Sequence, residues 1–296
     1  MEIYRAVVAR VETLTPTMIR VTLTGPELPG FTSTGVGDEY VRLFFPHGPD
    51  RSDLSLPVAT ETSWETPEGR PTAPMRTYTI RAVRPEQNEI DIDFVVHDHG
   101  VAATWASGAG PGDPLGFNSP TGLYDPPKDI TRQILVADQT GLPAVARLLE
   151  NTPDHITTRV IVEVPDEASV QPLPVHPRTK VTWAYGGNGH GPSRLADLVT
   201  AALPDDSDLT GTYVWTAGET TALRTVRKHF RKTLGLSSDR FKVVGYWSPN
   251  ADSWTERWEA LPAEVKAELE ALWEDPVDDL EDVTIAYEER LSVLGL

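Results

Sequence analysis

Apolar and polar positions alternate through much of the first 125 or so residues. Ile19, Val21 and Leu23 alternate with Arg20 and Thr22, and Ile90, Ile92 and Phe94 alternate with Asp91 and Asp93. A period of two sends successive side chains to opposite faces, so each stretch predicts a half-buried β-strand. Val41-Arg42-Leu43-Phe44-Phe45 predicts another. Such strands, separated by Gly/Pro turns, predict an antiparallel β-barrel over residues 1–126. Residues 47–75 are polar and proline-rich, which predicts a long surface loop.

Near Tyr124-Asp125-Pro126-Pro127 the texture changes. Gln133-Ile134-Leu135-Val136-Ala137 is a short continuous apolar run, the mark of a parallel strand buried on both faces. Leu142, Val145 and Leu149 then recur at helical spacing. Further strands are predicted at 159–163, 180–183, 212–215 and 241–244, with helices over 193–202 and 219–234 between them. This alternation predicts a doubly wound α/β domain over 127–248. Residues 249–296 form an acidic, helical C-terminal extension. Ser253-Trp254-Thr255-Glu256 fits a capping box, and Val265, Leu269 and Leu272 line one face of the helix beyond it. The fold class is therefore mixed: a barrel, then an α/β domain, then a helical extension.

Composition narrows the chemistry. The 296 residues carry a formal charge of −18, which argues against nucleic acid and anionic membrane surfaces as partners. A local basic pocket inside an acidic envelope remains compatible with a small anionic ligand. There is no cysteine, which excludes disulfides, thiol catalysis and cysteine-ligated clusters. Redox chemistry must then use a bound cofactor. Met1-Glu2-Ile3-Tyr4-Arg5 lacks the apolar core of a signal peptide, and no apolar run approaches membrane-spanning length. A cytoplasmic location is expected.

Arg76-Thr77-Tyr78-Thr79 is the first stretch with chemistry in it. An arginine can pair with a pyrophosphate, a tyrosine ring can lie on an isoalloxazine, and a threonine hydroxyl can reach its edge. Alone, the four residues also fit an exposed arginine and a half-buried tyrosine in a barrel. Two segments further along the chain favour the flavin. Phe94-Val95-Val96-His97 ends a strand, and Gly100-Val101-Ala102-Ala103-Thr104-Trp105-Ala106 opens a helix whose first N–H groups suit a phosphate. Trp105 is more often core than ligand contact. His97, Asp98 and His99 have a possible metal spacing, but no further His or Cys lies near, and no metal site is assigned.

Asp138-Gln139-Thr140-Gly141-Leu142-Pro143 stands at the carboxyl end of the first α/β strand, where ligands of such folds bind. Its ordinary reading is a turn with a helix cap. The GxGxxG fingerprint is absent, and Gly186-Gly187-Asn188-Gly189-His190-Gly191 reads as a flexible loop. Thr216-Ala217-Gly218-Glu219 ends another strand, and Arg224, Arg227, Lys228 and Arg231 follow near one helix face. The ordinary reading of this stripe is a solvated face. The sharper reading is a landing site for an anionic partner, such as a nicotinamide phosphate or an anionic iron chelate.

In this order the segments resemble the siderophore-interacting protein family, FAD-dependent ferric-siderophore reductases within the ferredoxin-reductase-like group. Gly112-Asp113-Pro114-Leu115-Gly116, Val162-Glu163-Val164-Pro165 and Gly245-Tyr246-Trp247 extend the resemblance. It implies FAD held by Arg76, Thr77, Tyr78 and Thr79, by Phe94, Val95, Val96 and His97, and by Gly100, Val101, Ala102, Ala103, Thr104 and Trp105. Arg76 would take the pyrophosphate, Tyr78 the isoalloxazine face and Thr79 the neighbourhood of its N5 atom. Asp138 and Thr140 fall where the flavin and nicotinamide regions would meet. Gly218, Glu219, Arg224, Tyr246 and Trp247 are assigned to NAD(P)H or substrate.

The implied activity takes electrons from NADPH or NADH, or from a ferredoxin, through FAD to a ferric siderophore, with no catalytic acid or base from the protein. A general flavin or ferredoxin reductase, a non-enzymatic siderophore binder, and an electron-transfer module docking an acidic ferredoxin at Arg224–Arg231 stay open beside it. Three departures from the family pattern stand out: Ala103 in place of a serine, Gln139 in place of a glutamate, and Ser248-Pro249-Asn250 in place of basic residues. The acidic extension has three open placements: over the flavin, back over the α/β domain, or against a second subunit. The sequence selects no oligomeric state.

Overall fold

The computed structural model describes residues 2–48, 51–60, 63–97, 100–188, 192–249, 251–273 and 279–296, without the side chains of 251–253 and 255. Asp98, His99, Gly189, His190, Gly191 and Asn250 lie outside the described residues. The chain forms two compact units: residues 1–124, 139–154 and 164–177, and residues 125–138, 155–163 and 178–296.

The first unit is built on strands β1 (Ile3–Thr15), β2 (Met18–Thr24), β3 (Tyr40–Phe44), the two-residue β4 (Val58–Ala59) and β5 (Trp64–Glu65), β6 (Met75–Arg84), β7 (Glu89–Val95) and β8 (Pro114–Asn118). Six of them close a barrel in the order β1-β2-β7-β6-β3-β8. Closure leaves no sheet edge to protect. The alternation is read out directly: Val21, Leu23, Val41, Leu43, Ile90, Ile92 and Phe94 all point into one apolar core. β4 and β5 pair as a short ribbon inside the proline-rich loop. Phe44, on the opposite face of β3 from Leu43, packs with Leu54, Ala73 and Trp64 of that loop.

Helix α1 (Val101–Ser107) follows β7, and helix α2 (Leu142–Glu150) packs against β6. Arg147 of α2 donates to Glu39 Oε1 at 2.9 Å and to the Ile80 carbonyl at 2.8 Å, fully inside the unit. Glu39 also accepts from the Ser33 and Thr34 hydroxyls and the Thr34 N–H, each at 2.6 Å. A buried ion pair of this kind is held by its extra hydrogen bonds.

The second unit carries a five-stranded sheet, β11-β10-β9-β12-β13. Its strands are β9 (Arg132–Asp138), β10 (Thr157–Val164), β11 (Thr179–Tyr185), β12 (Thr212–Glu219) and β13 (Phe241–Trp247), and β10, β9, β12 and β13 run parallel. Every residue of β12 is buried, as befits a central strand. Helices α3 (Leu195–Ala202) and α4 (Thr220–Lys228) pack their apolar faces on it through Leu195, Val199, Leu223 and Val226. The helix predicted to run to Leu234 leaves α-geometry at His229 and finishes in a π-helical turn, His229–Thr233. That turn delivers Phe230 into the core against Phe241, ring centroids 5.3 Å apart.

Helices α5 (Ala251–Glu259), α6 (Ala263–Ala271) and α7 (Leu280–Val293) complete the unit. Val265, Leu269 and Leu272 do share one cluster, together with Trp254, Trp258, Leu291 and Leu296. The helix start predicted at the Ser253 capping box falls inside α5, which begins at Ala251.

Candidate functional site

In the first unit, Arg76 stands opposite Leu43, and Tyr78 opposite Val41, across the β3–β6 ladder. Directly opposed residues share a face, so Arg76 and Tyr78 project on the same side of β6. Arg76 is exposed, and its Nη1 donates to the Met75 carbonyl at 2.8 Å. Tyr78 is half-buried, its ring tilted on Phe94 with centroids 4.4 Å apart. Burial pushes its hydroxyl well above the ordinary tyrosine range, so it stays protonated at neutral pH. Thr77 is exposed, while Thr79 is buried opposite Tyr40.

Phe94 and Trp105 are core residues. Phe94 is fully buried beneath Tyr78, and Trp105 is 4 % exposed with Phe45 and Phe94 as ring neighbours. Trp105, which the resemblance implies as a cofactor contact, places its side chain in the barrel core. Val95 and Val96 are half-buried and His97 is exposed. The Val96 N–H donates to the Thr17 carbonyl at 2.9 Å, which fixes the end of the strand.

Gly100 has φ +91°, and a Cβ there would sit 3.3 Å from His97 Cε1. Both facts suit glycine and a close backbone approach. The Thr104 N–H makes the bond back to the Gly100 carbonyl at 3.1 Å. Ala102 and Ala103 are buried in side chain, so they offer backbone alone. Nothing in this cradle opposes a flavin dinucleotide: it offers a cation, an aromatic face and a glycine-lined turn, with no acidic side chain among its named members.

Arg51 carries no local motif, and the sequence pattern did not single it out. From the proline-rich loop, at φ +57°, it reaches the last turn of α1. Nη1 donates to the Trp105 carbonyl at 3.1 Å and pairs with Asp113 at 3.4 Å. A Cβ at Gly108 would lie 2.2 Å from Arg51 Nη2, so glycine makes room for the guanidinium. A cation on the final carbonyls of a helix is favourable in charge and hydrogen bonding.

Gln139 is fully buried, and its Nε2 donates to the Thr17 hydroxyl and, at 3.4 Å, to the Thr17 carbonyl. The departure from glutamate is thus explained locally: a carboxylate could not donate to that carbonyl. Thr140, beside it, is half-buried.

In the second unit, the carboxyl ends of the parallel strands gather Glu163, Asp138, Glu219 and Trp247. Asp138 is fully buried and accepts from Trp247 Nε1 at 2.7 Å. Gly218 lies between them with φ +153°, and a Cβ there would come within 2.5 Å of Asp138 Oδ2. Asp138, which the resemblance implies as a cofactor contact, turns its carboxylate to the Trp247 indole at the carboxyl edge of the sheet. Tyr246 stands edge-on to Trp215, centroids 6.4 Å apart. Glu219 caps α4, accepting from the Thr221 N–H at 3.2 Å. Glu163, also missed as a site residue, accepts from the Arg194 N–H at 2.7 Å and the Ser193 hydroxyl at 2.9 Å, which anchors the start of α3.

The basic stripe is paired rather than open, although Lys228 stays exposed. Arg224 donates to the Leu296 carbonyl at 2.8 Å and to Ser292 Oγ at 3.2 Å. Arg227, Lys228 and Arg231 all pair with acidic residues of α7 or its cap. Arg224, expected at NAD(P)H or substrate, is hydrogen-bonded to the C-terminal segment in this structure. Of the three placements left open for the extension, α7 takes the one against the α/β part.

Comparison with known proteins gives the framework. Residues 7–124 match the siderophore-interacting FAD-binding domain, and residues 130–250 match the siderophore-interacting protein family. The chain is 33 % identical over 244 residues to the NADPH-dependent ferric-chelate reductase of Escherichia coli, covering 81 % of this chain and 91 % of that protein. This chain belongs to the siderophore-interacting protein family. The ferric vibriobactin reductase ViuB of Vibrio cholerae is 29 % identical over 231 residues, covering 78 % of this chain and 83 % of the relative. Among solved structures, a siderophore utilization protein from T. fusca shares 33 % identity at a TM-score of 0.73, covering 84 % and 93 % of the two chains. A ferredoxin NADP+ reductase from Neisseria gonorrhoeae, 12 % identical with a TM-score of 0.58, shares the fold. Residues 251–296 lie beyond both family matches.

Proposed function

We propose that this chain is a cytoplasmic, FAD-dependent ferric-siderophore reductase that draws its electrons from NADPH. The observation that carries the reading is the shared face of Arg76 and Tyr78 on β6, with Gly100 opening α1 at the end of the adjacent strand β7. Arg76 presents a planar fork for a pyrophosphate, and Tyr78 a ring held at a fixed tilt by Phe94. The N–H groups of Val101, Ala102 and Ala103 precede the first intrahelical bond of α1 and suit phosphate oxygens.

Bound FAD would supply the redox chemistry, accepting two electrons together and releasing them singly. Two ferric chelates are then reduced for each NADPH consumed. The protein groups orient and exclude water, and none is required as acid or base. Tyr78 keeps its proton because burial raises it, so it offers a neutral face rather than a phenolate. Ferric iron in its chelate is the substrate. Reduction weakens its hold on hard oxygen ligands and promotes release.

The test is anaerobic. The purified protein, reconstituted with FAD, is mixed with NADPH, then with a ferric siderophore and a ferrous-trapping dye. Bleaching of the flavin band by NADPH, then recovery on adding the siderophore with ferrous iron appearing in the dye, is the expected result. Failure of FAD to bind, or a reduced flavin that the siderophore does not reoxidise, overturns the proposal.

A further inference from the structure

Residues 249–296 hold fourteen acidic and three basic side chains, a large part of the net −18. Asp279, Glu281, Asp282, Glu288 and Glu289, on α7 or its cap, meet the dense basic face of α4 and the π-helical turn after it. Arg227 pairs with Glu281 and, at 3.4 Å, with Glu288. Lys228 pairs with Glu289 at 2.8 Å. Arg231 pairs with Asp282, and with Asp279 at 3.7 Å, while Lys232 reaches Asp282 at 3.3 Å. The order of partners runs backwards: Asp279 and Asp282 face Arg231, Glu288 and Glu289 face Arg227 and Lys228, and Ser292 and Leu296 face Arg224. α7 therefore lies antiparallel to α4, with acids at two-turn spacing matched to cations at one- and two-turn spacing.

Two further observations make this contact separable. Leu269, Leu291 and Leu296 form a cluster with Trp254, Trp258 and Leu272, distinct from the sheet core around Leu195 and Val226, while Val283 and Ile285 of α7 are buried outside that cluster. The helical extension also lies outside both family-matched stretches. The Arg227–Glu281 pairing is well shielded, with side chains 10 % and 16 % exposed, whereas Lys228 and Glu289 are 59 % and 57 % exposed. Exposed pairs are the ones that salt weakens.

We propose that α7 is a releasable acidic cover over a basic docking face formed by Arg224, Arg227, Lys228, Arg231 and Lys232, and that the uncovered face takes an acidic protein surface. The occupant seen in the folded chain defines the chemistry of the partner: a row of carboxylates presented at helical spacing. In a molecule of net charge −18, the rest of the surface repels such a partner, so binding reports on this face.

The probe is poly-L-glutamate, offered to the full-length chain and to a quadruple variant, Glu281→Gln, Asp282→Asn, Glu288→Gln and Glu289→Gln. The variant is expected to bind about tenfold or more tightly at low salt and to lose the gain near ~0.5 M salt, where screening is a few ångströms long. Adding Arg227→Gln and Arg231→Gln is expected to abolish it. No gain, or a gain that survives those two changes, overturns the proposal, as does tighter binding of a DNA duplex than of polyglutamate. Hydrogen exchange on the unmodified protein decides independently of how the variants fold. Amides of 280–293 are expected to exchange faster as salt rises while those of 212–219 do not, and equal acceleration of both overturns a separable cover.

Discussion

The indole of Trp247 donates to the carboxylate of Asp138 at 2.7 Å across strand β12, joining the ends of two strands that are not neighbours in the sheet. Gly218 makes the crossing possible, since a Cβ there would strike the carboxylate. A buried donor left without its acceptor costs about 1–3 kcal/mol. Asp138→Leu is expected to cost about that much in urea unfolding, with Asp138→Asn closer to neutral because an acceptor oxygen remains. Gly218→Ala is expected to cost about 2–4 kcal/mol through overlap and strain. Equal loss from the Leu and Asn changes would show that the indole does not depend on that oxygen.

Arg147 and Glu39 give a second, independent test. Removing Arg147 alone leaves a fully buried carboxylate without its cation, so Arg147→Met is expected to cost about 3–5 kcal/mol. Combining it with Glu39→Gln removes the stranded charge and is expected to recover part of the loss. A double-mutant cycle in chemical denaturation measures the coupling.

The proposed flavin cradle predicts a graded series. Tyr78→Ala removes the ring and is expected to weaken FAD binding about tenfold, an amount typical of a lost aromatic contact. Tyr78→Phe keeps the ring and is expected to change affinity little. Arg76→Gln is expected to weaken FAD more than riboflavin, because only the dinucleotide carries a pyrophosphate. Fluorescence titration of the apoprotein with FAD and with riboflavin separates these outcomes.

Acid sensitivity follows from the barrel carboxylates. Burial pushes Asp91 up, but the Arg84 guanidinium and the Thr22 hydroxyl more than offset it, and the net shift is downward. A carboxylate lowered on folding contributes stability that is full above its unfolded value of about 3.9 and is lost as pH falls through the folded value. Arg84→Met is therefore expected to shrink the fall in urea midpoint between neutral pH and the acid range. Asp93 works in the opposite sense, since burial outweighs Arg20 and raises it, so its contribution declines as pH rises through that raised value.

The strands were legible because apolar and polar side chains go to opposite faces, which writes a period of two into the chain even where the polar ones, Asp91 and Asp93, are themselves buried against Arg84 and Arg20. The apolar run of β9 was legible for the complementary reason, burial on both faces. The helix stripe of Arg224 to Arg231 was visible too, but its partner was not: Arg227 and Glu281 are 54 positions apart, and no local pattern links them. The Asp138–Trp247 bond spans 109 positions and left no trace in either neighbourhood. Trp105 reads from its residue type as more often core than ligand contact, and it is indeed 4 % exposed.

Arg51 ties the fate of two distant stretches together. The excursion between β3 and β6 closes the end of the very helix that Gly100 begins, so it is not idle surface chain. Trimming that excursion, or nicking it with a protease, would strip the closing cation from the Trp105 carbonyl and loosen the turn proposed to receive a phosphate. A change in the length of this loop would have to keep one guanidinium within reach of the Trp105 carbonyl.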